Sequence, residues 1–210
     1  MIQEFAPYLQ GDLIEIGAGI GQMTRHLLDL NTLKRLVSVE PDKGFCKRHR
    51  LNFPGHELIE GVIDQVEPDS AWNAILSINV LEHIEHDSAE LAKYAALLKK
   101  RAGALCLFVP ARPEIYAPID KDFGHFRRYT KPELRKKLLE AGFRIERLDY
   151  FNLVGYLAWW VNFCVLKKRC FEVEKVRVYD RMIFPLVHKL ESSLMRPPIG
   201  QSLLAVAVAV

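Results

Sequence analysis

Between Asp12 and Thr24 the chain reads DLIEIGAGIGQMT, and this stretch limits the fold more than any other. Leu13, Ile14 and Ile16 form a short apolar run of the kind a buried parallel strand shows. Gly17, Gly19 and Gly21 follow at alternate positions. Gln22 to Leu30 then reads as a helix, with Met23, Leu27, Leu28 and Leu30 as its apolar residues. A strand, a glycine turn and a helix start make a nucleotide-type cradle. Glycine takes φ > 0 without penalty and lets a ligand approach the main chain. The first turn of the helix offers unpaired N–H groups to an anion. The competing reading is a strand–helix turn that needs glycine only for tight packing.

The spacing separates the cofactors. A dinucleotide fingerprint, G-x-G-x-x-G, would place its third glycine at position 22, where Gln22 stands, and this disfavours a nicotinamide oxidoreductase. What the chain carries is E-x-G-x-G-x-G, from Glu15 to Gly21. Glu40 closes the run Leu36 to Val39, where an acid would accept from ribose hydroxyls. This combination resembles motif I and the acidic strand end that follows it in class I S-adenosylmethionine (SAM) dependent methyltransferases. The resemblance implies SAM as cofactor, held by Glu15, Gly17, Ala18, Gly19, Gly21 and Gln22, with Glu40 and Pro41 at the next strand end. It also implies Ile63 and Asp64, the latter against the adenine amine, and Asn79 and Val80 after the fourth strand.

Further strands read as Glu57 to Val62, Ala71 to Ile78, Ala104 to Val109, Arg144 to Tyr150 and Gln201 to Val210. Ser88 to Arg101 reads as a helix, with Leu91, Tyr94, Ala95 and Leu98 at i, i+3, i+4 and i+7, and Gly103 as its stop. A shorter helix runs from Pro41 to Arg50, and Met1 to Leu9 reads as a helix end limited by Pro7. Asn79 to Asp87 contains Leu81-Glu82-His83, similar to a signature of the small-molecule branch of these enzymes, including quinone O-methyltransferases. Some of those hold a divalent cation with a Glu-x-x-Glu-His cluster. Asn79 replaces the first acid, so no metal is assigned, and Glu82 and His83 read equally as a hydrogen-bonded start to the helix.

The loop Ala111 to Tyr129 (ARPEIYAPIDKDFGHFRRY) follows a strand's carboxyl end and should overhang the ligand pocket. Thr130 and Glu133 make a capping box and Tyr129 and Leu134 a hydrophobic staple at the next helix, which runs to Ala141 and stops at Gly142. His125 is the first candidate base for a hydroxyl acceptor and His83 the second, with Asp120 orienting His125. Tyr116, Arg127, Arg128 and Trp159 are candidate substrate contacts; the alternative for the two arginines is pairing with Asp122 or Glu133. The pattern from Asp120 through GHFRRYT to Ala141-Gly142-Phe143 resembles a bacterial subgroup active in lipid, polyprenyl or surface-glycan pathways.

Composition sets the outer limits. The 210 residues suit one domain, half of them hydrophobic. Residues 1–120 hold 17 acidic against 12 basic residues, and residues 121–210 hold 17 basic against nine acidic. That basic half suits phosphates, anionic lipid or an acidic substrate, or else a plain solvated surface; no nucleic-acid partner is expected. Cys46, Cys106, Cys164 and Cys170 lack metal-ligand spacing, and the N-terminus lacks a signal peptide, so a cytoplasmic, reducing setting is expected. The connection 151–199 exceeds what the core fold needs. Its start, Leu153 to Leu166, is too short to span a bilayer. With Trp159, Trp160 and the cluster Lys167-Lys168-Arg169 it suits a core helix, a substrate wall or a helix on an anionic membrane surface.

The expected fold is a doubly wound α/β domain over 1–210, with a seven-stranded sheet whose order the resemblance implies to be 3-2-1-4-5-7-6. The last strand is antiparallel, and 151–199 forms a helical insertion before it. The expected function is SAM-dependent methyl transfer, by O-methylation of a small or lipid-like acceptor (quinone, polyprenyl or glycan-linked). A SAM-binding scaffold without turnover is the alternative.

Overall fold

In the computed structural model, which describes residues 2–67, 71–169 and 197–210, seven strands form one sheet in the order β3-β2-β1-β4-β5-β7-β6. The strands are β1 Gly11–Ile16, β2 Leu33–Glu40, β3 Leu58–Glu60, β4 Ala74–Ile78, β5 Ala104–Pro110, β6 Phe143–Phe151 and β7 Ser202–Ala209. β1 to β5 pair in parallel, and β7 runs antiparallel between β5 and β6. Order and direction match the sequence expectation.

The central strands are apolar on both faces because helices cover both. All seven residues of β5 are buried, and they divide with period two. Leu105, Leu107 and Val109 join one core with residues of α4 (Asp87–Lys99) and α6 (Lys131–Glu140), while Cys106 and Phe108 join the other. The second core takes Phe5 of α1 (Ile2–Phe5) and Leu27 of α2 (Gln22–Leu28). Asp42 caps α3 (Lys43–Asn52) by accepting from the Phe45 N–H, and Thr130 caps α6 by accepting from the Glu133 N–H.

Several boundaries shift. α2 stops at Leu28, short of Leu30. β4 starts at Ala74 because Ala71 to Asn73 are outside the ladder. The two glycine stops differ in kind. Gly142 takes φ +91° after α6, the usual left-handed cap. After α4 that conformation belongs to Ala102 at φ +45°. Gly103 instead allows close approach, since a Cβ there would press on the Trp72 and Asn73 carbonyls.

The loop after β5 is more ordered than its composition suggests. It contains a 3-10 turn, Pro113–Ile115, and the short helix α5, Pro118–Asp122. The segment read as one helix from Leu153 starts as α7, Leu153–Trp159, and widens into a π-helical turn over Trp160–Val165. Cys170 and most of the 151–199 insertion lie outside the described residues. None of the described helices is long and apolar enough to cross a membrane.

Candidate active site

The carboxyl ends of β1, β2, β4 and β5 meet at one edge of the sheet, where open α/β folds bind ligands. At the end of β1, Gly17, Gly19 and Gly21 all take positive φ, at 68°, 56° and 91°. Their reasons differ. A Cβ on Gly17 would collide with Val80, and one on Gly21 with the Phe53 ring. Tight packing thus accounts for two of the three glycines. A Cβ on Gly19 would meet nothing within 4 Å. The middle glycine borders open space, as a position against a ligand should.

Two acids hold this turn. Glu40, at the end of β2, accepts from the Gly19 N–H through Oε2 at 2.8 Å and from the Asp42 N–H through Oε1 at 2.9 Å. Glu15 is buried at the root of the turn, where its Oε2 accepts from Thr24 Oγ1 at 2.6 Å and Ser38 Oγ at 2.7 Å. Those hydroxyls lie 3.0 Å from His49 Nε2 and 2.9 Å from His56 Nε2. Burial pushes the Glu15 carboxyl up to about 7, against the lowering effect of both hydroxyls. Ala18 and Ile63 are buried beside the turn, whereas Gln22 and Pro41 are exposed. Asp64 is exposed and ion-paired with Lys93 at 2.6 Å.

Asn79 and Val80 join the turn to a second feature. Val80 packs under Gly17, while Asn79, held at φ +52°, borders a cavity of about 480 Å³. Phe108, Phe123, Phe151 and Trp159 give the cavity apolar walls, and Glu82, His125 and Arg128 line it too. His125 comes from the loop after β5. Its Nδ1 lies 3.0 Å from Asp120 Oδ1. An ionised carboxylate only accepts, so in the neutral imidazole Nδ1 carries the proton and Nε2 is bare. Asp120 also accepts from Arg128 Nε at 2.9 Å and from the Ala117 N–H at 2.8 Å. Burial works to raise the Asp120 carboxyl, but the bonds from His125 and Arg128 overrule it and hold it below the usual range.

Neither arginine follows the expected alternative pairing. Arg127 binds Asp87 at 3.0 Å and the Glu85 carbonyl at 2.7 Å, which fixes the loop to the start of α4 and leaves it off the cavity wall. Arg128 is buried between Asp120 and the Trp159 ring, 4.3 Å from the ring centroid. Tyr116 also acts within the loop, donating to the His125 carbonyl at 2.7 Å. His83 is at the surface, its ring edge-on to His125 at 4.7 Å between centroids. Partial desolvation of the ring, with His125 nearby, lowers its pKa.

Of the two readings open for Glu82, its side chain does not follow the hydrogen-bonded helix start. Its side chain is fully buried, and neither carboxylate oxygen has a hydrogen-bond partner. Burial raises its pKa to about 8, so it holds its proton at neutral pH. Its Oε1 lies 3.9 Å from His125 Nε2. Phe108, Phe151 and Asn152 also line the cavity and were not singled out from sequence. They stand at strand ends, the one signal that would have found them.

Residues 14–104 match the family described as a methyltransferase domain, and the strand order and direction are those of the class I SAM-dependent methyltransferase fold. The cofactor is SAM, and the space beside Gly19, with Glu40 at its edge, suits it. Among solved structures the chain is similar to a methyltransferase from Bacillus halodurans, at 18% identity and a TM-score of 0.65, covering 99% of this chain and 96% of that one. It is similar to a SAM-dependent methyltransferase from Archaeoglobus fulgidus, at 16% identity and a TM-score of 0.64, over 99% and 90% of the two chains. A third likeness is to the complex of the Haloferax volcanii methyltransferase activator Trm112 with a methyltransferase, at 18% identity and a TM-score of 0.66, over 99% and 88%. No curated protein matches the chain in sequence.

Proposed function

We propose that the chain methylates a hydroxyl oxygen of a small or lipid-like acceptor (a quinone, polyprenyl or glycan-linked molecule) seated in the cavity beside the glycine turn. The observation that carries this reading is the Asp120–His125 pair on the cavity wall, with the bare Nε2 of His125 toward Glu82. In SAM the sulfonium already activates the methyl group, so the protein mainly positions the acceptor. Gly17, Gly19, Gly21 and Glu40 shape the cofactor's place, with Asn79 and Val80 between it and the acceptor. The aromatic walls hold an apolar acceptor body and exclude water. Nε2 of His125 takes the hydroxyl proton, and Asp120 stabilises the imidazolium that results. Arg128 holds Asp120 and Trp159 in register rather than binding substrate.

The test is His125→Ala assayed with hydroxylated acceptors. Turnover should fall by about 10²–10⁴-fold, while SAM affinity measured by calorimetry stays at the parental value. Parental turnover in the variant would assign His125 to loop packing. SAM binding without transfer to any acceptor would favour a scaffold.

The same reading places the enzyme in the cytoplasm, against a membrane surface. α7 and its π turn bury Trp159 and Phe163 against the α5 loop, and Gly155 beside Asn152 and Gln201. Leu157, Trp160, Val161, Val165 and Leu166 stand outward, each between 44% and 57% exposed. Lys167, Lys168 and Arg169 follow directly. An apolar stripe ending in cations suits anionic lipid. Trp159, on the inner side of the same helix, lines the cavity, so one helix separates the outward stripe from the acceptor's place.

A further inference from the structure

The geometry points to Glu82 as a second contact for the acceptor: its carboxyl O–H donates a hydrogen bond to the hydroxyl oxygen from which His125 takes the proton. This rests on the methyl-transfer reading above.

Glu82 stands at the end of the loop after β4, and His125 arrives from the loop after β5. The two loops are tied together by the Phe126 N–H, which donates to the Glu82 carbonyl at 2.8 Å. That bond fixes the separation of the two side chains. Glu82 Oε1 and His125 Nε2 are 3.9 Å apart, too far for a direct hydrogen bond. One oxygen atom placed about 2.8 Å from each would bridge them at roughly a right angle. Both residues line the same cavity, whose other walls are largely aromatic.

A buried carboxyl with no partner on either oxygen is costly, and native folds rarely keep one without use. An acceptor hydroxyl answers that cost. The hydroxyl has one proton to give and two lone pairs. Its proton goes to Nε2 of His125, whose other nitrogen is committed to Asp120. With SAM bound, one lone pair would close on its methyl carbon as the methyl–sulfur bond breaks, the bonding pair staying on sulfur and S-adenosylhomocysteine leaving. The other accepts from Glu82, which keeps its own proton throughout. Burial holds that proton in place at neutral pH. A neutral acid in an apolar site then stabilises the negative charge that builds on oxygen. The ligand class is a hydroxyl carried on an apolar skeleton.

The probes are phenol and toluene, titrated by NMR into the protein loaded with S-adenosylhomocysteine. They share a ring and differ by the hydroxyl. Glu82→Leu should lower the ratio of phenol to toluene affinity by about tenfold, the worth of one such bond. Glu82→Gln keeps neutral charge and an N–H donor, so its ratio should fall by no more than about threefold. An unchanged ratio in Glu82→Leu would overturn the inference. So would a Glu82→Gln loss as large as that of Glu82→Leu, which marks an ionised base or a ligand. A competing occupant is a divalent ion, because Glu82, His83 and His125 bring donor atoms within 4.8 Å of one another. One equivalent of Mn²⁺ bound by the parent and lost in Glu82→Gln would also overturn it. If S-adenosylhomocysteine fails to bind the parent, the methyl-transfer reading fails and takes this inference with it.

Discussion

Glu15 shows how a single residue can serve a ligand site without lying in it. Its carboxyl is committed to Thr24 and Ser38, which fixes the first turn of α2 against β2 beneath the glycines. Its pKa rises from 4.5 to about 7, chiefly through burial. Between those values the folded chain keeps a proton that the unfolded chain has released. The group's contribution to stability is therefore complete below about 4.5 and is lost as pH climbs through about 7. Glu15→Gln stays neutral and should escape this loss. Denaturant melts at stepped pH should show the gap between parent and variant moving in favour of the variant from about pH 5 to pH 8. A constant gap would mean that Glu15 is not held neutral. The buried His49, whose pKa burial lowers, titrates in the opposite sense, so the difference between the two proteins is the quantity to read.

At the scale of the element, α7 is the instructive case. Its two adjacent tryptophans point to opposite fates. Trp159 is 7% exposed, donates to the Ile115 carbonyl at 3.0 Å and stacks on Arg128. Trp160 is 47% exposed. Sequence alone left the segment open between core, substrate wall and membrane surface, because hydropathy does not say which side of a lone apolar helix faces inward. Neighbours on a helix point about 100° apart, so one buried position leaves the next one outside. The substitutions should separate accordingly. Trp159→Ser should cost about 3–5 kcal/mol of stability. Trp160→Ser combined with Val161→Ser should leave the thermal midpoint near the parent's and reduce co-sedimentation with anionic vesicles at low salt. A parent that does not sediment at low salt would end the membrane proposal and leave α7 as a wall of the acceptor cavity.

Across the whole molecule, legibility followed the range of the interaction. The sheet was readable because each central strand announces itself locally, as in Leu13 to Ile16 and Ala104 to Val109, and because the glycine turn fixes where the first strand ends. The Thr130 cap and the meeting of Tyr129 and Leu134 in one core were readable for the same reason: both partners lie within five residues. Long-range pairings were not readable. Arg127 finds Asp87, 40 residues away. The orphaned carboxyl of Glu82 depends on a loop that arrives more than 40 residues later. Sequence also could not divide the three glycines, since Val80 and Phe53, which demand Gly17 and Gly21, come from distant segments. Only Gly19 borders open space, and the account rests on that space holding SAM. Calorimetric titration of SAM into the parent, Gly19→Val and Glu40→Ala tests it most directly. The parent should bind with one site per chain. Gly19→Val should show no binding, because its side chain enters the ligand's space and its φ of +56° is strained for valine. Glu40→Ala should lose roughly 1.5–3 kcal/mol, the worth of hydrogen bonds to a charged group. Parental SAM affinity in both variants, with the fold intact by circular dichroism, would contradict the placement of the cofactor at this turn.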